Sequence, residues 1–285
     1  MGTKAARKAT PDVIQIKPTR MDFAFDANQV PDHWAFNDPF STHFMGTLSS
    51  LFPVGERFFV DSVRALREHA GENVTAKDIS GFIGQEAMHS LEHVSMNNML
   101  AAKGLPALRA EKFTLGLLNL GRRILTKRQQ LAVTVALEHF TGIIANRLLT
   151  DTDTMNNLSD EMRPIWMWHA IEETEHKAVA FDLYKQVPGN NYAERVVFQI
   201  FASVILAAVV SAFQLQFMAR DKQLFNLRSW AFGLNKLFGR NGILSGLTRE
   251  YLDFFKPDFH PWDHENSALV AYWREKLEGE VAKAA

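Results

Sequence analysis

Between Gly84 and His93 the string GQEAMHSLEH places two glutamates and two histidines in a stretch otherwise patterned as a helix. Residues three apart on a helix share a face, so Glu86 and His89 point the same way and can offer a carboxylate and an imidazole to one metal ion. The same spacing recurs in HAIEETEH, at Glu173 and His176. With 17 Glu and 10 His in 285 residues, about 0.6 such pairs are expected by chance, so the two pairs gain weight only from their surroundings. A lone glutamate precedes each pair, Glu56 in FPVGERFF and Glu138 in AVTVALEHFTG, both among apolar neighbours. A carboxylate in such surroundings requires a partner, and a metal ion would be one.

These residues need helices to hold them. A helical pattern runs over about 45–69, with Gly71 as a stop, and Thr75 is an N-cap for a helix to about Lys103, closed by KGLP. Residues 105–126 are mixed and read as a short helix in a long connection. Further helices are expected over 127–149, from a Ser159 cap to the PGNN at 188–191, and over 192–221. Beyond that, helical stretches are broken by Gly239, Gly242, Pro257 and Pro261. Strand signals are weak, so the fold class is all-α. Residues 1–44 read as an N-terminal arm and extended lead-in, 45–190 as a four-helix metal-binding bundle, and 191–285 as an apolar helix and helical region packing on the bundle or a membrane. The ligand order fits a bundle in which two helices each give one Glu and two give Glu-x-x-His. Glu56 to Glu86 is 30 residues and Glu138 to Glu173 is 35, which suits antiparallel hairpins; the 52 residues from Glu86 to Glu138 allow a crossover between them.

The pattern resembles the ferritin-like di-iron carboxylate superfamily. More narrowly, GQEAMHSLEH, ALEHFTG, HAIEETEHKAVAFDLY and FKPDFHPW resemble, over about 40–275, a bacterial family described as predicted metal-dependent hydrolases. Carried over by position, the resemblance implies Glu56, Glu86, His89, Glu138, Glu173 and His176 as ligands of two metal ions, with additional C-terminal helices outside the bundle. Glu172 and Glu175 are adjacent alternatives to Glu173, which is favoured by its spacing to His176. His93 and His169 lie one turn from His89 and Glu173. Each reads as a seventh ligand, a partner that orients a ligand, or an ordinary helix residue, and the orienting role is preferred. Together with Glu172 they are the acid–base candidates. His139 diverges by about 100° from Glu138 and is read as structural. In KPDFHPWDHEN, Asp258, His260, Asp263 and His264 are split by prolines and read as a rigid turn over the bundle, ahead of a separate metal site.

The absence of cysteine excludes disulfides, thiolate ligands and cysteine nucleophiles, leaving His, Asp and Glu to hold iron, or else manganese or zinc. A net charge of -1 speaks against nucleic acid as a partner. The first twenty residues are basic but lack an apolar signal region, so a cytoplasmic location is the default expectation. Residues 196–219 carry no charge and are followed by NLRSWAFGLNKLFGRNGILSGL, a mixture suited to a membrane interface; the segment is expected to meet lipid or a second copy of the chain.

Three functions follow. The first is dioxygen-dependent oxidation of an apolar small molecule or lipid at a di-iron centre, with an external electron donor. The second is hydrolysis by a metal-activated bridging water. The third is a non-catalytic iron-binding or storage role, disfavoured by the C-terminal third. A radical-generating subunit would place Tyr one turn after the first carboxylate, where Phe59 and Val60 stand.

Overall fold

Asp38 and Pro39 start the first helix: the Asp38 carboxylate accepts from the Ser41 N–H, and Pro39 occupies the first turn, where its missing N–H costs nothing. In this computed structural model, which describes residues 9–284, α1 therefore spans Pro39–Arg64 and begins before the expected position 45. The first eight residues of the expected arm lie outside the described residues. Those that follow, 9–38, are irregular but docked. Ile16 and Pro18 lie against Gly81 and Gly84, where an added Cβ would sit 2.3 Å from the Ile16 carbonyl and 2.2 Å from Pro18 Cγ. Glu92, the second glutamate of the opening motif, accepts from the Asp22 and Phe23 N–H groups at 2.7 and 2.9 Å, so it ties down the lead-in.

Helix α2 (Ala76–Ala102) starts at a capping box between Thr75 and Asp78. The connection expected to be mixed is a continuous helix, α3 (Ala107–Ile124). Its leucines do not enter the core, where only Ala107 and Ala110 are buried, and Gly116 and Gly121 blur its pattern. Helix α4 (Lys127–Thr150) begins at a second capping box, Thr126 with Gln129. After α5 (Thr152–Asn156), the predicted fourth bundle helix is two pieces, α6 (Arg163–His176) and α7 (Val179–Gln186). Met162, not Ser159, is its N-cap; the Ser159 carbonyl accepts from the Met162 and Arg163 N–H groups. At the break, Lys177 turns out to donate to the His264 carbonyl and Asn266. Next come α8 (Tyr192–Arg220), α9 (Leu227–Phe238), α10 (Ile243–Gly246), α11 (Thr248–Asp253) and α12 (Ser267–Ala284). Among the described residues there is no strand.

Helix α1 packs on α2 and α4 on α6, while α1 also meets α4 and α2 meets α6, so four helices enclose one interior. That interior changes character along its length. One apolar cluster takes Met96, Leu100, Leu148, Trp166 and Trp168; another takes Phe58, Val63, Phe82, Leu131 and Leu183. On α2, α4 and α6–α7 the two clusters are separated at the level of Glu86–His93, Glu138 and Glu172–His176. The core is thus interrupted by a layer of titratable side chains. Outside it, α3 packs on α1 and α2, α8 on α1 and α4, and α12 on α6.

Candidate metal centre

Helix α2 projects Glu86, His89 and His93 inward at one-turn intervals, and α6 projects His169, Glu173 and His176. Helix α1 adds Glu56 and α4 adds Glu138. All eight are buried, none more than 5% exposed. The ligand atoms of all but His93 form three overlapping groups, each within 4.8 Å: Glu86, Glu138 and His176; Glu86, His89 and Glu173; Glu56, His89 and His169. Glu86 reaches in two directions, with Oε1 at 3.1 Å from His176 Nε2 and Oε2 at 4.0 Å from His89 Nδ1. Glu173 Oε1 stands 3.5 Å from His89 Nδ1, 3.6 Å from His176 Nε2 and 3.1 Å from His169 Nε2. The six residues named as ligands from the sequence are therefore brought to one place.

The electrostatics favour a cation there. Both oxygens of Glu56, Glu86 and Glu138 are buried without a hydrogen-bond partner, as is His176 Nε2. Burial, and then repulsion by Glu86, pushes the Glu56 carboxyl well up; burial and Glu173 do this to Glu86, and burial and Glu86 to Glu138. Burial would also push Glu173 up, but the His176, His169 and His89 imidazoles gathered around it hold it well below the usual range. Buried carboxylates that face one another without a counter-charge are costly, and a divalent ion would remove that cost.

The surrounding hydrogen bonds set which ring nitrogens are free. Gln85 Nε2 donates to Glu175 Oε2 at 2.9 Å, so Gln85 Oε1 must accept from His176 Nδ1–H at 3.0 Å, leaving His176 Nε2 bare toward Glu86 and Glu138. Arg274 anchors Glu175 from α12. Glu175 is thus held away from the centre. Glu172, the other alternative to Glu173, lies behind His89, with Oε2 at 3.3 Å from Nε2 while Nδ1 faces inward.

His169 goes beyond the orienting role preferred from the sequence. Asn97 Nδ2 donates to the Ser49 carbonyl and its Oδ1 accepts from Ser49 Oγ–H. Ser49 Oγ then accepts from His93 Nδ1–H at 2.9 Å, and His93 Nε2 from His169 Nδ1–H at 2.6 Å. Every proton of this series is then in use, and His169 Nε2 faces Glu173 Oε1 with its lone pair. Burial holds His169 down at about 4, so a proton does not fill that gap at neutral pH. A metal ion would, which makes His169 a seventh candidate ligand, with His93 positioning it. Burial, followed by His169, holds His93 well below its ordinary value as well. Gln85, Ser49, Asn97 and Arg274 gave no signal in the sequence, because amides, hydroxyls and a distant guanidinium carry no ligand spacing.

The remaining sequence candidates stay outside. His139 packs on Phe254 and Phe259, and burial lowers it to about 3. His260 pairs with Asp182 at 3.1 Å, His264 with Asp253 at 3.2 Å, and Asp263 accepts from the His260 N–H. This segment forms a turn beside α7, with Trp262 beneath Lys177. A small cavity of about 20 Å³ adjoins Glu138, His139, Asn146 and Lys177, and a larger apolar one of about 390 Å³ reaches Glu56, His169 and Glu173.

Fold and site together define an all-helical protein with buried Glu and His groups able to hold metal. The family model described as predicted metal-dependent hydrolase matches residues 17–265, and the chain belongs to that family. No curated protein and no solved structure matches it.

Proposed function

We propose that the chain is a binuclear metal enzyme that hydrolyses an ester-type bond in an apolar substrate, on a bundle of ferritin-like design. The observation that carries this reading is the set of partnerless buried carboxylate and imidazole atoms, in which Glu86 reaches toward both His89 and His176. One position would be held by Glu86, Glu138 and His176, the other by Glu56, His89, Glu173 and His169. Bound there, the ions would supply activated water and polarise a carbonyl.

The chain's own groups do the rest. Gln85, Glu172 and His93 orient the rings of His176, His89 and His169. The small cavity beside Glu138 has room for about one water. The apolar cavity walls the Glu56, His169 and Glu173 side with hydrocarbon and accepts the substrate's apolar part. A second reading, dioxygen-dependent oxidation at two irons, is favoured by one observation: the hard carboxylate donors Glu56 and Glu173 line that apolar cavity.

The test is elemental analysis of protein purified with and without air, followed by hydrolysis of p-nitrophenyl acyl esters in both atmospheres. Hydrolysis that a chelator abolishes and oxygen does not affect is the expected result. Turnover that needs dioxygen and a reductant would select the second reading. A protein that binds no divalent metal would overturn both.

A further inference from the structure

Helix α8 buries three polar side chains against the bundle, Arg195, Gln199 and Gln214, alongside Ala202, Phe213, Phe217 and Met218; Arg195 donates to the Lys256 carbonyl and Gln214 to the Phe40 carbonyl. Many of its other apolar side chains face outward, with Val197 at 60%, Phe201 at 55% and Val204 at 62% exposure. An outer face that met water would carry polar side chains instead. Helix α8 is also the one described helix long and apolar enough to cross a membrane. Opposite it, α3 leaves Leu120 and Ile124 exposed near the exposed Lys112 and Arg123. Apolar side chains flanked by basic ones suit the surface of an anionic bilayer.

The large cavity opens into this face. Leu117, Leu120 and Ile124 of α3 and Phe201 and Ile205 of α8 line it while remaining partly exposed. Phe113 and Phe213, whose rings lie 5.6 Å apart, join the two helices at one end. The lining runs along α3 from Thr114 to Leu125, about 16 Å at the helical rise. Its inner end holds Glu56, His169 and Glu173, and the other polar liners are Thr114 and Thr141. Such a cavity has no group to neutralise a charged head, and its length and apolar wall match an extended hydrocarbon.

We propose that this cavity binds one long aliphatic chain of a membrane lipid, which enters between α3 and α8 from the bilayer and brings a bond of the chain or its ester to the carboxylate centre. Only the identity of the centre as the reacting end rests on the function proposed above; the binding of the chain does not.

Cis-parinaric acid, a fluorescent long-chain fatty acid, tests the site on metal-free protein, with metal content measured separately so that either idea can fail alone. Saturable binding is expected. Displacement by saturated fatty acids should strengthen by roughly fourfold per added methylene until the cavity is full. Gly55 and Gly121 both line the cavity; a Cβ on Gly55 meets nothing within 4 Å, and one on Gly121 meets only Leu125, at 3.9 Å. Gly55→Phe and Gly121→Phe should each place a ring in the path of the chain and weaken parinarate at least about tenfold, with helix content and metal stoichiometry retained. Absence of saturable binding, or unchanged binding in both variants, would overturn the proposal. Co-sedimentation with phosphatidylglycerol vesicles tests the route: recovery with the vesicles upholds entry from a bilayer. Parinarate binding without sedimentation upholds the chain site and overturns the bilayer as its source, as would a dimer of doubled mass that covers α8.

Discussion

Gln85→Leu isolates the support of His176 from the ligands themselves. Gln85 is fully buried and makes two contacts that matter, 3.0 Å to His176 Nδ1 and 2.9 Å to Glu175 Oε2. Leucine has nearly the same volume but neither polar atom, so His176 Nδ1–H is left buried without an acceptor while Glu175 keeps Arg274. An unpaired buried donor costs about 1–3 kcal/mol, and the lost bond to a carboxylate a further ~1.5 kcal/mol or more, so the metal-free protein should lose about 2–5 kcal/mol in a urea titration. Because the ring is then free to turn and its tautomer is no longer set, metal affinity should fall by about 10–100-fold. Competition against a chromophoric chelator measures this. Gln85→Glu keeps the acceptor for His176 while placing a carboxylate against Glu175, so it should keep more of the metal affinity than Gln85→Leu and still lose stability. If Gln85→Leu loses stability but binds metal within about threefold of the parent, His176 is not a ligand held by Gln85. If neither quantity changes, the Gln85 bonds do not form.

Two further outcomes follow from the same groups. In the metal-free protein, Glu56, Glu86 and Glu138 have raised carboxyl values, chiefly from burial, and His89 and His176 are raised by neighbouring glutamates despite burial. A raised folded value gives stability that is present below the unfolded value and lost as pH rises through the folded one. Lys177, held down by burial at about 7, opposes this over the same range, so in a Lys177→Met background metal-free protein should become more stable as pH falls from about 9 toward about 6.5, below which charging of His93 and His169, both depressed by burial, opposes the trend. Metal affinity should move oppositely, weakening as pH falls because the ligands must lose protons, and paired chemical denaturation and chelator titrations across this range would reveal a common direction if the reasoning fails. His169→Ala should lower bound metal toward one ion per chain, since it strips a donor from the Glu56 and His89 group. His93→Phe, which leaves every other donor in place, should keep the stoichiometry and loosen affinity, and equal stoichiometry in the two variants would return His169 to an orienting role.

What could be read from the sequence was local and periodic. The spacings Glu86 to His89 and Glu173 to His176 fix a shared face because a helix repeats every 3.6 residues, and the Thr75 cap and the apolar surroundings of Glu56 and Glu138 need no knowledge of distant partners. The tertiary structure decided how these faces are rotated against one another. Only that rotation places His169 Nε2 against Glu173, sets Glu172 behind His89, and brings Gln85 of α2 and Arg274 of α12 together on Glu175. It also turned α3 from a vague connection into a cavity wall and set Gln199 and Gln214 of α8 inward. Composition shows that a segment is apolar; which side of it meets protein depends on the packing of helices far apart in the chain, a long-range balance of burial that no local pattern encodes.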